Sequence, residues 1–140
     1  MCDANGLPLT AMLTPGQQHE STVFEDVMDR IEIPQATGRP RTRPAALGGD
    51  KAYSVRRIRE WLRKHGIRVV IPSRKDQRRN PRFDAEAYRG RNIIERCIGW
   101  LKECRRVLTR FEKLAVHYLA MVKLAIMGRY FRKLGLSDRA

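Results

Sequence analysis

The sequence predicts an α/β protein. Two observations carry that class. An apolar run, a helical stripe and a second apolar run follow one another between residues 45 and 71, and helical apolar spacing fills most of residues 84–134. A third observation bears on partners: 29 Lys and Arg against 15 Asp and Glu leave a formal charge of +14. A surface this basic attracts polyanions, and nucleic acid leads because its phosphates engage many cations at once. A solvated basic face with no specific partner is the alternative. The arginines cluster at 39–43, 56–68, 74–82, 89–96 and 105–110, so the charge belongs to the body of the chain rather than to a detachable tail.

The elements follow in order. Asp3-Ala4-Asn5-Gly6 carries the Asn-Gly pair that favours a positive-φ turn, and Leu7–Leu13 reads as the strand leaving it. Only Met1 and Cys2 remain to form the partner strand, so a segment preceding residue 1 is expected to be absent. Ser21 or Glu20 caps a helix through Val23, Phe24, Val27, Met28 and Ile31. Residues 34–44, with three prolines and a glycine, form an exposed loop. Ala45–Gly49 reads as a short buried strand ending on Asp50, Ser54 as the cap of a helix through Ile58, Trp61 and Leu62 closed by Gly66, and Ile67–Ile71 as a strand stopped by Pro72. That order is a right-handed parallel βαβ unit. After a basic loop (73–82), Asp84 starts a long helix to about Leu108, and a last helix covers Lys113 to Leu134. The parts group as 1–33, 45–71 and 84–134, one domain of 1–134 with a tail at 135–140.

Composition excludes several classes. Three cysteines without a C-x-x-C pair argue against a secreted disulfide framework. Cys97 and Cys104 stand about 10 Å apart along a helix, too far for a bridge, and read as packing thiols. His19, His65 and His117 share no metal-ligand spacing. There is no leader-like N-terminus and no apolar run of membrane-spanning length, so a cytoplasmic protein without a membrane partner is expected.

The chemistry gathers on few residues. Asp50 sits where a strand ends and a helix is about to start, the edge at which open α/β sheets place ligand groups. A plain turn residue is the competing reading. On the helix from Asp84, Tyr88, Arg91 and Lys102 lie within roughly 40° of Glu95 at 100° per residue. One stripe would then hold a phenol, two cations and a carboxylate, opposite a packing face of Ile94, Cys97, Ile98, Leu101, Cys104 and Leu108. An i−4 Arg–Glu surface pair is routine, but it does not account for Tyr88 and Lys102. Lone carboxylates amid positive charge suit Mg²⁺, which takes one or two of them plus water and substrate phosphates.

Here the chain resembles a family. Asp50-Lys51-Ala52-Tyr53-Ser54 is similar to the segment around the second Asp of bacterial insertion-sequence transposases with a DDE domain. Tyr88, Arg91, Glu95 and Lys102 match that family's Y-(2)-R-(3)-E-(6)-K signature at every spacing, and Asp3–Pro8 and Thr14–His19 look like its segments. The resemblance implies a ribonuclease-H-like mixed sheet with a C-terminal helical segment. It implies Asp50 and Glu95 as metal-binding catalytic carboxylates, Arg91 and Lys102 as phosphate contacts, and Tyr88 as support for the DNA, with Mg²⁺ or Mn²⁺ as cofactor. Nicking at element ends and transfer of the 3′-OH to target DNA would be the reaction, in a homo-oligomeric synaptic complex or with the product of an upstream frame. One departure stands out. The family's first Asp, on a central first strand, has no counterpart here, so an N-terminally truncated domain, inactive alone, is expected. Two rivals remain open: a non-catalytic nucleic-acid-binding fragment that pairs with or inhibits an intact transposase, and a basic structural or RNA-associated protein.

Among the weaker candidates, His19 would shape the edge of the site or be a loop histidine near a helix start, and Arg74, Lys75, Arg78 and Arg79 would touch DNA backbone or form a solvated loop. Trp61 and Trp100 read as core, and the last helix as a packing or oligomer surface.

Overall fold

A computed structural model of the chain describes residues 1–135. It has two compact units, one of residues 14–91 and one of residues 1–13 together with the chain from residue 92 onward. The tail expected at 135–140 falls, from residue 136, outside the described residues.

The 14–91 unit is built on the βαβ segment. Strand β1 (Ala46–Gly48) pairs in parallel with β2 (Arg68–Val70), in the register Ala46↔Arg68, Leu47↔Val69, Gly48↔Val70. Two parallel strands need a crossover, and helix α2 (Arg56–Lys64) supplies it. Gly66, at φ +68°, turns the chain from α2 into β2, a conformation glycine adopts without a steric penalty. Behind the pair lies the core. Ile58, Leu62 and Ile71 are fully buried, with Phe24, Met28, Ile31, Leu47, Ile67 and Val70 around them. Trp61 stands edge-on to Phe24 at 5.6 Å, so this indole packs as expected. A 3-10 turn (Glu20–Val23) leads into helix α1 (Phe24–Asp29). Its cap is His19, whose Nδ1 accepts from the Ser21 amide at 3.2 Å, rather than Ser21 or Glu20.

Ser54 also has a different part from the one expected. Helix α2 starts at Val55 without a side-chain cap, and Ser54 is wholly buried. Its hydroxyl donates to Gln77 Oε1 at 2.6 Å and accepts from the Arg59 guanidinium at 2.9 Å. A buried hydroxyl must be satisfied, and here the partner comes from 23 residues along the chain, beyond the reach of a capping pattern.

In the other unit the opening residues do turn back on themselves. Asp3 Oδ1 accepts from the amides of Asn5 and Leu7, and Gly6 takes φ +76°. The pairing stops at one antiparallel bridge, Cys2↔Pro8, so Leu7–Leu13 does not form the expected strand. Pro8 has no amide to give to a ladder, and Met1 and Cys2 offer little to pair with. Helices α4 (Asn92–Lys102), α5 (Arg105–Thr109) and α6 (Ala115–Lys133) complete this unit. The Tyr130 hydroxyl donates to the Pro8 carbonyl at 2.9 Å, tying α6 to the turn. The Arg129 guanidinium lies 3.6 Å over the Trp100 ring.

The long helix expected from Asp84 to Leu108 is three helices. Helix α3 (Ala85–Arg89) stops at Gly90, α4 starts at Asn92 and ends at Lys102, and Cys104 is extended at φ −71°, ψ 107° before α5. Glycine is a weak helix former, by about 1 kcal/mol against alanine, and Gly90 sits where the helix yields. The packing face is correspondingly narrower than expected. Cys97 is buried, whereas Ile98 and Leu108 are 45% and 58% exposed.

The α/β class therefore holds, as a helix-rich chain with a small parallel sheet. Among the described residues the sheet has two strands, both parallel, where a larger mixed sheet is expected.

Candidate active site

Asp50 lies two residues past β1, at the C-terminal edge of the parallel pair. Its carboxylate caps a short 3-10 turn (Lys51–Tyr53), with Oδ1 accepting from the Ala52 amide at 2.8 Å. The turn is held from outside. Arg74 Nε donates to the Lys51 carbonyl and its Nη2 to the Ala52 carbonyl, both at 2.9 Å. Gln77 Nε2 donates to the Ser54 carbonyl at 2.6 Å. The loop after β2 thus clamps the backbone that carries Asp50. The Tyr53 hydroxyl donates to Glu20 Oε2 at 3.2 Å. Burial, and then the Glu20 and Asp50 charges, push the Tyr53 phenol up to about 12. Neutral at any ordinary pH, Tyr53 serves as a fixed donor to Glu20.

In the same unit Tyr88 and Arg91 come together. The Arg91 guanidinium stands 5.6 Å from the Tyr88 ring centre, and the Phe83 ring is tilted against Tyr88 at 5.4 Å. Asp84 anchors this element twice. Its Oδ1 accepts from the Ala87 amide at 2.8 Å, capping α3, and its Oδ2 pairs with Arg68 of β2. The capping bond from Ala87 is the main cause that lowers the Asp84 pKa; desolvation opposes it, and the hydrogen bond and charge of Arg68 add to the lowering.

Glu95 and Lys102 belong to the other unit. They stand seven residues apart on α4, on one exposed face and about 10 Å apart along the axis. Glu95 lies in the first turn and Lys102 in the last, each matched in sign to the helix dipole.

Of the five residues expected to form the site, Tyr88 and Arg91 share one local cluster, and Glu95 and Lys102 share one helix face. Asp50 stands on its own turn. Gly90 and Arg91 form a turn between α3 and α4, so Tyr88, Arg91, Glu95 and Lys102 are not on one unbroken helix. Among the described residues no group of three or more His, Cys, Asp or Glu gathers as a metal cage. The donors are still right in kind: carboxylate oxygens are what a hard divalent cation takes, one or two at a time with water and phosphates.

Sequence reasoning missed the supports. Arg74 stood out only as a loop cation, Gln77 and Glu20 not as partners at all. No short pattern could reveal them, since their contacts lie 22 to 33 residues away. His19 proves to be a cap.

Carboxylates thus stand at the end of a parallel strand and at the start of a helix, in a chain of formal charge +14. The family model described as the transposase DDE domain matches residues 1–127, and the chain belongs to that family, insertion-sequence transposases. It is 34% identical over 123 residues to a Burkholderia cepacia protein described as "Putative transposase for insertion sequence element IS402". The match covers 87% of this chain and 56% of the relative, so the chain spans about half of that protein's length. No solved structure matches. Divalent metal ions are the family's usual cofactor.

Proposed function

We propose that this chain contributes to metal-dependent nicking and strand transfer of DNA during movement of an insertion sequence, within a ribonuclease-H-like domain. The observation that carries the reading is Asp50 at the C-terminal edge of the parallel β1–β2 pair, on a turn clamped by Arg74. Family membership is its independent support.

In this reading Asp50 and Glu95 are the carboxylates that hold Mg²⁺ or Mn²⁺. Asp50 spends Oδ1 on the Ala52 amide and keeps its second oxygen for a cation. A divalent ion supplies Lewis-acid stabilisation of phosphoryl oxygens that in-line displacement at phosphorus requires. Arg91 and Lys102 hold non-bridging oxygens of the DNA backbone. Tyr88, braced by Phe83, keeps the Arg91 head in place through ring contact and supports the strand beside the scissile phosphate. Partner molecules are DNA, as element ends and target, and further copies of the transposase. The cytoplasm, where bacterial DNA is reached, is the compartment.

The test is cleavage of a plasmid carrying the element's ends, with Mg²⁺ or Mn²⁺, by the chain alone and joined to the reading frame that precedes it. Asp50→Asn and Glu95→Gln should each reduce nicking to background while DNA binding persists. Nicking that survives Glu95→Gln overturns the assignment of Glu95.

A further inference from the structure

Helix α2 and the loop after β2 flank an open groove of about 500 Å³ whose lining is dominated by arginine. Arg56 and Arg63 stand seven residues apart on one face of α2, about 10 Å along the axis. Arg78 and Arg82 face them from the loop, and Arg59 lies between. Five arginines against one carboxylate, Glu60, leave the groove lining at +4.

These cations divide by what already holds them. Arg59 is structural: its Nη2 donates to Ser54 Oγ and to the carbonyls of Ile71 and Pro72, at 2.9 to 3.1 Å. Burial, with Arg63 adding to it, lowers its pKa without emptying its charge. Arg56 pairs with Glu60 at 2.7 Å, yet their side chains are 91% and 54% exposed, so a phosphate exchanges for that carboxylate at little loss. The side chains of Arg63, Arg78 and Arg82 have no hydrogen bond or ion pair among the described residues.

The walls beneath the free cations are fixed. Ser73 Oγ donates to the Arg78 carbonyl at 3.2 Å, the Arg82 amide donates to Asn80 Oδ1 at 3.0 Å, and Gln77 is locked to Ser54. Backbone is thus ordered while the guanidinium heads stay available. A concave low-dielectric wall lined by one sign of charge focuses its field on an incoming anion. Guanidinium is the group suited to paired hydrogen bonds with phosphate. No lining residue is aromatic, which removes the stacking platform a single strand uses and favours a paired backbone.

We propose that this groove is a sequence-independent binding site for the backbone of duplex DNA, seated on Arg63, Arg78 and Arg82 with Arg56 recruited from Glu60. It rests on the reading above only in taking DNA as the partner, and it uses neither Asp50 nor Glu95. It shares the 73–82 loop with the Asp50 turn, to which Arg74 is bonded.

The test is fluorescence anisotropy of a random-sequence duplex of ~30 base pairs with the full chain, in EDTA, across salt from about 50 mM upward. The triple variant Arg63→Gln, Arg78→Gln, Arg82→Gln should lower the slope of log affinity against log salt by about 2.7, three contacts at about 0.9 each. Binding at the lowest salt should weaken at least about tenfold. The matching triple Arg63→Lys, Arg78→Lys, Arg82→Lys should keep most of the slope, and circular dichroism should show both variants folded. Arg30→Gln, Arg39→Gln and Arg43→Gln together remove the same charge from outside the groove and should cost less than one unit of slope. Equal losses in the two glutamine triples overturn the groove while leaving DNA as partner. Absence of duplex binding by the unaltered chain overturns both. In the same titration with an RNA duplex of equal length, a loss in the glutamine triple confined to that RNA overturns the groove's assignment to DNA. Metal-dependent cleavage is not read in EDTA, so failure of the catalytic assignment leaves this result intact.

Discussion

Replacing Arg74 should loosen the Asp50 turn without unfolding the protein. The guanidinium makes two bonds of 2.9 Å to the Lys51 and Ala52 carbonyls from the half-buried side of a loop. Hydrogen bonds from charged donors contribute about 1.5–3 kcal/mol each when shielded, and partial exposure discounts them. Two such bonds, so discounted, give an expected loss of about 1–2 kcal/mol for Arg74→Ala. Because 1.4 kcal/mol is about tenfold in an equilibrium, amide exchange at Tyr53 and Ser54 should accelerate roughly five- to thirtyfold. Those amides donate to the Asp50 and Lys51 carbonyls, so they report on this turn directly. Exchange in β2 should change far less. Arg74→Lys keeps the charge but cannot reach two carbonyls with one planar fork, and should recover less than half of the protection. Hydrogen exchange read by mass spectrometry or NMR decides the matter. Full recovery by lysine would show that charge, not geometry, holds the turn, and unchanged exchange in Arg74→Ala would refute the clamp altogether.

Three further outcomes follow from the packing. Gly6→Ala puts a Cβ 2.9 Å from Trp100 and 3.1 Å from Ile93 at φ +76°, so thermal denaturation should show a loss of about 2–4 kcal/mol. Leu62→Ala empties a fully buried site and should cost about 2–5 kcal/mol in a urea titration. Asp84 has a pKa below its ordinary 3.8, so its contribution is complete above that value and is lost as pH falls through the lowered one. Acid titration should therefore release α3 in the unaltered chain, and Asp84→Asn, which can still cap, should abolish that dependence.

What could be read in advance was local. Alternating turn residues and apolar runs gave β1, α2 and β2, because each is decided by its own few residues and by the core they share. Asp84 as a cap and Asp50 as the end of a strand were legible for the same reason. The stripe of Tyr88, Arg91, Glu95 and Lys102 rests on spacing in the sequence and assumes an unbroken 3.6-residue period. Gly90 and the extended Cys104 interrupt that period, and a periodicity argument weighs side chains without weighing backbone breaks. Ser54 was assigned by a pattern that suits many helix starts, while its true partner, Gln77, lay across the fold. Supports of that kind become visible only with the tertiary structure.

The divided use of the Asp50 carboxylate has a consequence for which residues this position can tolerate. One oxygen satisfies the Ala52 amide and so belongs to the architecture, and in the proposed function the other is the one that takes the cation. A library of all substitutions here should therefore separate two landscapes. Foldedness should accept the short acceptors Asn and Ser along with Asp, since each can close the same small ring. Transposition should accept Asp alone, because only a short side chain with a negative charge meets both demands.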